Sequence, residues 1–261
     1  SALFYALRNQ NQKYFEVLIE NDIEIRGYNL QGENALICAY KNNRKDICLY
    51  FLDNGIFVNH LDKDGNTILH HALKNNDTDF AVLLIDYDAD IFIKNYSEES
   101  PLDIARKNGV ENIIIKKIID KITILFENDN NEKLFELLDE YEDTSDYSEF
   151  NIPFLIAVLS VKYDNKLIFD KILRKDEILN NTDYRGKSLL MYCVEFGMFV
   201  YARKILYLDS NLNLKDNNNK TILFTIVEQL NNDDINVPKE KFQLLFNELL
   251  EGRVDVNCQD N

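Results

Sequence analysis

The sequence predicts an all-α solenoid of stacked helix-turn-helix units, and three observations predict it. One octamer pattern recurs at a 33-residue spacing. Apolar residues at helical spacing follow each copy, as in Ile47, Tyr50, Phe51 and again in Phe80, Leu83, Leu84. A polar turn then closes the unit. Self-similarity at a fixed period of this size marks a repeat architecture, in which each unit covers the apolar face of its neighbour.

The octamers align without gaps at Gly32–Ala39, Gly65–Ala72 and Glu98–Ala105, starting at 32, 65 and 98. Counting back 33 residues from Ala39 reaches Ala6, so an earlier unit precedes them. Gly186–Cys193 and Asn219–Ile226 repeat the pattern, again 33 apart. Alanine at 6, 39, 72, 105 and 157 permits close approach of neighbouring first helices. Thr67 and Ser188 stand where a hydroxyl caps the first helix, and Pro101 and Pro153 where a first turn tolerates proline. Gly55 and Gly252 stand where the second helix ends, a position favouring left-handed backbone.

A 33-residue unit with Gly65-Asn-Thr-Ile-Leu-His-His-Ala72 at its head and Leu249-Leu-Glu-Gly-Arg-Val-Asp-Val-Asn257 at its tail resembles the ankyrin repeat. The resemblance implies an ankyrin-repeat solenoid of about seven to eight helix-turn-helix units joined by short β-hairpin loops, irregular in the middle. As one array over 1–261 it divides into a partial repeat at 1–29 and regular repeats at 30–62, 63–95 and 96–112. A degenerate repeat at 113–147 and repeats at 148–183, 184–216 and 217–261 complete it, with insertions near 174–182 and 230–240. From Ala105 to Ala157 is 52 residues, neither one period nor two. Placing Leu125 in the small-residue slot makes the step from 125 to 157 nearly one period, with the hairpin between 105 and 125 missing. Residues 113–126 then form one longer helix or a tight pair, and Glu140 to Glu149 reads as an acidic loop. The step from Ala157 to Cys193 is 36 residues, three over the period. Neither end carries a polar capping repeat, so the sequence predicts a longer natural protein.

Charge narrows the function classes. The 45 acidic residues against 29 basic ones give a net charge of −16, a field that repels phosphate backbones and anionic lipid. Nucleic acid and membrane insertion are therefore not expected, and a protein partner with a basic surface fits the charge better. No apolar run approaches the ~20 residues of a membrane span. The four cysteines, Cys38, Cys48, Cys193 and Cys258, form no CxxC pair and suit a reducing, cytoplasmic setting; export to a host cell stays open.

No catalytic constellation is present. There is no G-x-S-x-G elbow, no Gly-rich phosphate loop and no metal-ligand spacing among His60, His70 and His71. The sequence predicts no enzyme, no cofactor and no metal. The resemblance gives His70 a structural role, tying neighbouring loops by hydrogen bonds. It further implies a monomeric interaction scaffold that binds an unidentified protein in a concave groove lined by hairpin tips and first-helix faces. Carried over by position, the candidate contacts are Gln31, Glu33 and Lys41; Asp64, Asn66 and Lys74; Tyr96, Glu99 and Lys107; Tyr184, Arg185, Lys187, Glu195 and Phe196; and Asn218 and Lys220. Tyr96, Tyr184 and Phe196 stand out because interface hot spots favour aromatics, although packing on adjacent fingers is the other reading of these rings. The alternative function is a targeting or regulatory segment of a larger enzyme or secreted effector whose catalytic domain lies elsewhere.

Overall fold

The structure is a computed structural model that describes residues 2–9, 12–21, 25, 27–141, 150–174, 176–208, 211–232 and 237–251. The chain divides into two compact units, Ser1–Lys121 and Ile122–Asn261. In the first, α1 (Ala2–Arg8) pairs with α2 (Gln12–Glu20), α3 (Ala35–Lys41) with α4 (Lys45–Asp53), and α5 (Ile68–Lys74) with α6 (Thr78–Asp86). Next come α7 (Pro101–Lys107) and α8 (Glu111–Glu127), a single 17-residue helix in which the division falls. The second unit holds α9 (Asn131–Glu140), α10 (Ile152–Lys162) paired with α11 (Lys166–Ile172), and the short α12 (Asp176–Leu179). It continues with α13 (Leu189–Glu195) against α14 (Phe199–Leu206) and α15 (Ile222–Asn231) against α16 (Lys239–Glu251). Each unit is a stack of helix pairs, with first helices neighbouring one another as α1, α3, α5, α7 and as α10, α13, α15.

Local chemistry explains where these helices begin and end. Thr67 and Ser100 form capping boxes with His70 and Asp103, and Asn34, Asn151 and Ser188 accept the N–H three residues on. Each such cap is worth roughly 1 kcal/mol. First helices stop at residues with positive φ: Asn43, Asn76, Gly109, Asp164 and Gly197. There the next N–H returns to the carbonyl of the small-residue slot, as Arg44 to Ala39, Asp77 to Ala72, Val110 to Ala105 and Met198 to Cys193. Ala6, Ala39, Ala72, Ala105 and Cys193 are buried, so the slot carries the close contact between first helices.

This hydrogen-bond register corrects the expected position in α10. The N–H of Asn165 returns to Ser160, and that of Asn130 to Leu125, so Ser160 occupies the slot 33 residues before Cys193. Ala157 lies on the same face, one turn earlier. The excess of three residues arises because α10 starts early, at an Asn151 cap with Pro153 in its first turn. The hairpin expected to be missing between the 105 and 125 slots is replaced by α8, which runs as one helix from Glu111 past Leu125 to Glu127. The acidic stretch at 142–149, the middle of the second insertion at 233–236, the terminal turn with Gly252 and Cys258 lie outside the described residues.

Candidate functional site

Among the described residues five polar fingers join the repeats, and the sequence builds each in the same way. Asn29, Asp62, Asn95, Asp183 and Asp216 lie at one register position. In each, Oδ1 accepts the N–H groups two and four residues on, at 2.8–3.1 Å. The main-chain N–H of each also donates to the carbonyl four residues on, closing the turn. The residue three places after the anchor has positive φ: Gly32, Gly65, Glu98, Gly186 and Asn219. Adjacent fingers are cross-linked through backbone, from Lys63 N–H to the Gln31 carbonyl at 3.0 Å and Tyr96 N–H to Asp64 at 3.1 Å. In the second unit Asn217 N–H donates to Arg185 at 2.8 Å. Glycine is required at the tip because a Cβ on Gly65 would lie 2.8 Å from the Tyr96 nitrogen. The anchors went unnoticed in the sequence, although their 33-residue recurrence three positions ahead of the glycine slot was the signal that could have found them.

The structure joins many of the candidate contact residues to one another. Lys41 donates to Glu33 at 2.7 Å, Lys74 to Asn66 at 2.7 Å, and Lys107 pairs with Glu99, each lysine lying eight residues beyond its partner. In the second unit the polarity reverses: the fingertip lysines Lys187 and Lys220 pair with Glu195 and Glu228 on the helices. Glu33 and Asn66, expected at exposed tips, are instead buried. Asn29 also donates to Glu33, and Asn95 to Asn66, so both polar groups are satisfied inside the scaffold. Gln31 is half-buried and accepts from Arg8 at 3.0 Å. Asp64, Arg185 and Asn218 are exposed, as are Tyr96 at 73% and Tyr184 at 63%. Phe196 is half-buried at the end of α13, its ring 5.7 Å from that of Tyr192.

The three histidines are bound into the scaffold. His70 is fully buried; its Nδ1 accepts from the Thr67 N–H at 3.0 Å, which leaves Nε2–H to donate to the Glu99 carbonyl at 3.0 Å. Burial lowers its pKa to about 4, so the ring is neutral. His71 Nε2 lies 2.8 Å from Asp62 and His60 Nε2 lies 2.6 Å from the Gly32 carbonyl. Burial, with Lys41 nearby, also lowers His71. Burial alone would raise the Asp62 carboxyl, but the N–H groups of Asn66 and Asp64 and the ring of His71 hold it below its ordinary value. Cys38, Cys48 and Cys193 are buried thiols, and burial raises the pKa of each, Cys48 to about 12. Among the described residues no three His, Cys, Asp or Glu side chains gather as metal ligands, and no helix is long and apolar enough to cross a membrane.

Helix pairs stacked through a small-residue slot and joined by cross-linked polar fingers define a helical-repeat scaffold. Two families of ankyrin repeats match the sequence, one described as three copies over residues 1–62 and the other as many copies over residues 52–105. Ankyrin repeats thus match residues 1–105 of the chain. A search of curated proteins gave no match. Ankyrin repeats are generally protein–protein interaction modules, and the fold is typically non-catalytic.

Proposed function

We propose that this protein binds a protein partner through its fingertips and the adjoining first-helix ends, on the concave side of the repeats. The observation that carries this reading is a rigid backbone presenting exposed aromatic side chains. Every finger is closed by an Asx anchor, and Tyr96 and Tyr184 project from those tips with most of their surface in water. A fixed tyrosine loses little freedom on binding, which is why such residues anchor interfaces. Asp64, Arg185, Phe196 and Asn218 would add contacts, whereas Glu33 and Asn66 would act by holding the fingers in place.

The test is capture of interacting proteins from a native lysate by the wild-type chain and by three variants. Tyr96→Ala and the Tyr184→Ala, Phe196→Ala pair should lose captured proteins, since an aromatic anchor commonly contributes ~2 kcal/mol or more. Tyr207→Ala removes an equally exposed tyrosine at the end of the second helix α14 and should retain them. Equal capture by all four chains, or melting of the fingertip variants in place of a binding defect, would refute the assignment.

A further inference from the structure

We infer that the finger at 183–187 with the adjoining end of α13 recognises an acidic peptide segment: a carboxylate side chain held by Arg185, next to an apolar side chain seated on Phe196. The inference rests on the interaction reading above and specifies its ligand. Arg185 is fixed at both ends of its residue. Its N–H donates to Asp183 at 2.9 Å and its carbonyl accepts the Asn217 N–H at 2.8 Å. The side chain is braced as well, with Nε donating to the Tyr184 hydroxyl at 2.8 Å and the guanidinium 5.1 Å from the Tyr184 ring centre. That leaves the two terminal nitrogens as an oriented fork, and Arg185 makes no ion pair among the described residues.

The protein is strongly acidic, which points to a basic partner, but around this finger the charges balance, Arg185 and Lys187 against Asp183 and Glu195. Asp183 accepts from two backbone N–H groups and from the Tyr192 hydroxyl at 2.7 Å, so its carboxylate is fully engaged within the fold. Glu195 is paired with Lys187, whose ammonium also lies 5.6 Å from the Tyr192 ring. The charged group left without an ion-pair partner at the tip, among the described residues, is therefore the guanidinium, whose terminal nitrogens stay available. A planar guanidinium with free terminal nitrogens matches a carboxylate in two parallel hydrogen bonds. Phe196 and Tyr192, at the adjoining helix end, offer the half-buried aromatic surface on which a neighbouring leucine or phenylalanine would pack. In the other described fingers the equivalent tip residues are Gln31, Asp64, Ser97 and Asn218, so this recognition is specific to one of them.

A random 12-residue peptide library displayed on phage, panned on the full chain, tests the inference. Enriched peptides should carry Asp or Glu beside a large apolar residue. Measured as synthetic peptides, they should bind the Arg185→Gln protein at least tenfold more weakly, and the Phe196→Ala protein should show a similar loss. Arg185→Lys, which keeps the charge and loses the fork, should fall between, and Arg185→Gln should melt as the wild type does because the side chain is exposed. Enriched peptides rich in Lys or Arg, or acidic peptides indifferent to Arg185→Gln, would overturn this inference and leave the interaction reading standing. Absence of any enriched peptide would count against both.

Discussion

The most demanding consequence of the structure is an acid-labile hydrogen bond at His70. Its Nδ1 has no proton to give, because the Thr67 N–H points at it from 3.0 Å, and protonation would set two donors against each other. The folded pKa of about 4 lies below the ordinary 6.5, so the unfolded chain takes up the proton first as pH falls. The stabilisation is therefore fully present above pH 6.5 and lost progressively down to about pH 4. Lowering the pH from about 7.5 to about 4.5 should remove ~2.5 kcal/mol through this one group. Asp62 and Glu33, held below their ordinary values in the fold, add loss in the same direction as they are protonated. Comparison with His70→Gln separates the contributions: in urea unfolding, wild type should lose ~2.5 kcal/mol more than the variant over that pH interval. Ring-nitrogen NMR should show the Nε2–H tautomer persisting below pH 5. If His70 titrates near its ordinary value, or if the stability gap to the variant stays constant with pH, the assignment of tautomer and burial is wrong.

Backbone and thiol chemistry supply three other predictions. Glu98 adopts φ 60° at a position held by glycine in three of the other four described fingers, so Glu98→Gly should raise stability by up to ~1 kcal/mol in thermal melts. Gly65→Ala, facing both φ 76° and a 2.8 Å approach to the Tyr96 nitrogen, should lower it by ~2 kcal/mol or more. Cys38, Cys48 and Cys193 should resist a thiol reagent in the native protein and be labelled only in denaturant, as peptide mass spectrometry would show; native labelling of Cys193 would contradict its burial.

Much of the fold was legible because the turns and caps are local chemistry. Thr67, Ser188 and Pro101 act within one helical turn of where they stand in the sequence, so reading them needs no knowledge of distant residues. The failure in α10 has a geometric cause. Ala157 and Ser160 are both small, both fully buried and three residues apart, hence on one helix face, and spacing alone could not say which meets the neighbouring helix. Fingertip exposure failed differently. Glu33 and Asn66 look like free tips, but each is drawn inward by a lysine eight residues on, and Asn66 also by Asn95 from the next finger. Such pairing depends on how the finger folds back over its helix, which a periodic pattern does not encode.

The glycine slot shows how one residue type reports on its neighbours. At Gly32, Gly65 and Gly186 the backbone of the next finger arrives within 3.0 Å of where a Cβ would stand, so a side chain cannot be tolerated. At Glu98, after which α7 and α8 follow with no further finger between them, the same left-handed turn carries a side chain. Left-handed backbone is thus demanded by the turn, while glycine itself is demanded by the stacking. The same division separates scaffold from recognition. Positions 29, 62, 95, 183 and 216 must offer an Asx oxygen to close the finger, which restricts them to a narrow chemistry. The repeats diverge at the two residues after each anchor: Leu30-Gln31, Lys63-Asp64, Tyr96-Ser97, Tyr184-Arg185 and Asn217-Asn218. Some of these side chains serve the scaffold, as Gln31 with Arg8 and Asn217 with the Tyr184 carbonyl. The finger that joins a ring to a guanidinium, Tyr184-Arg185, is the one proposed above to select a ligand.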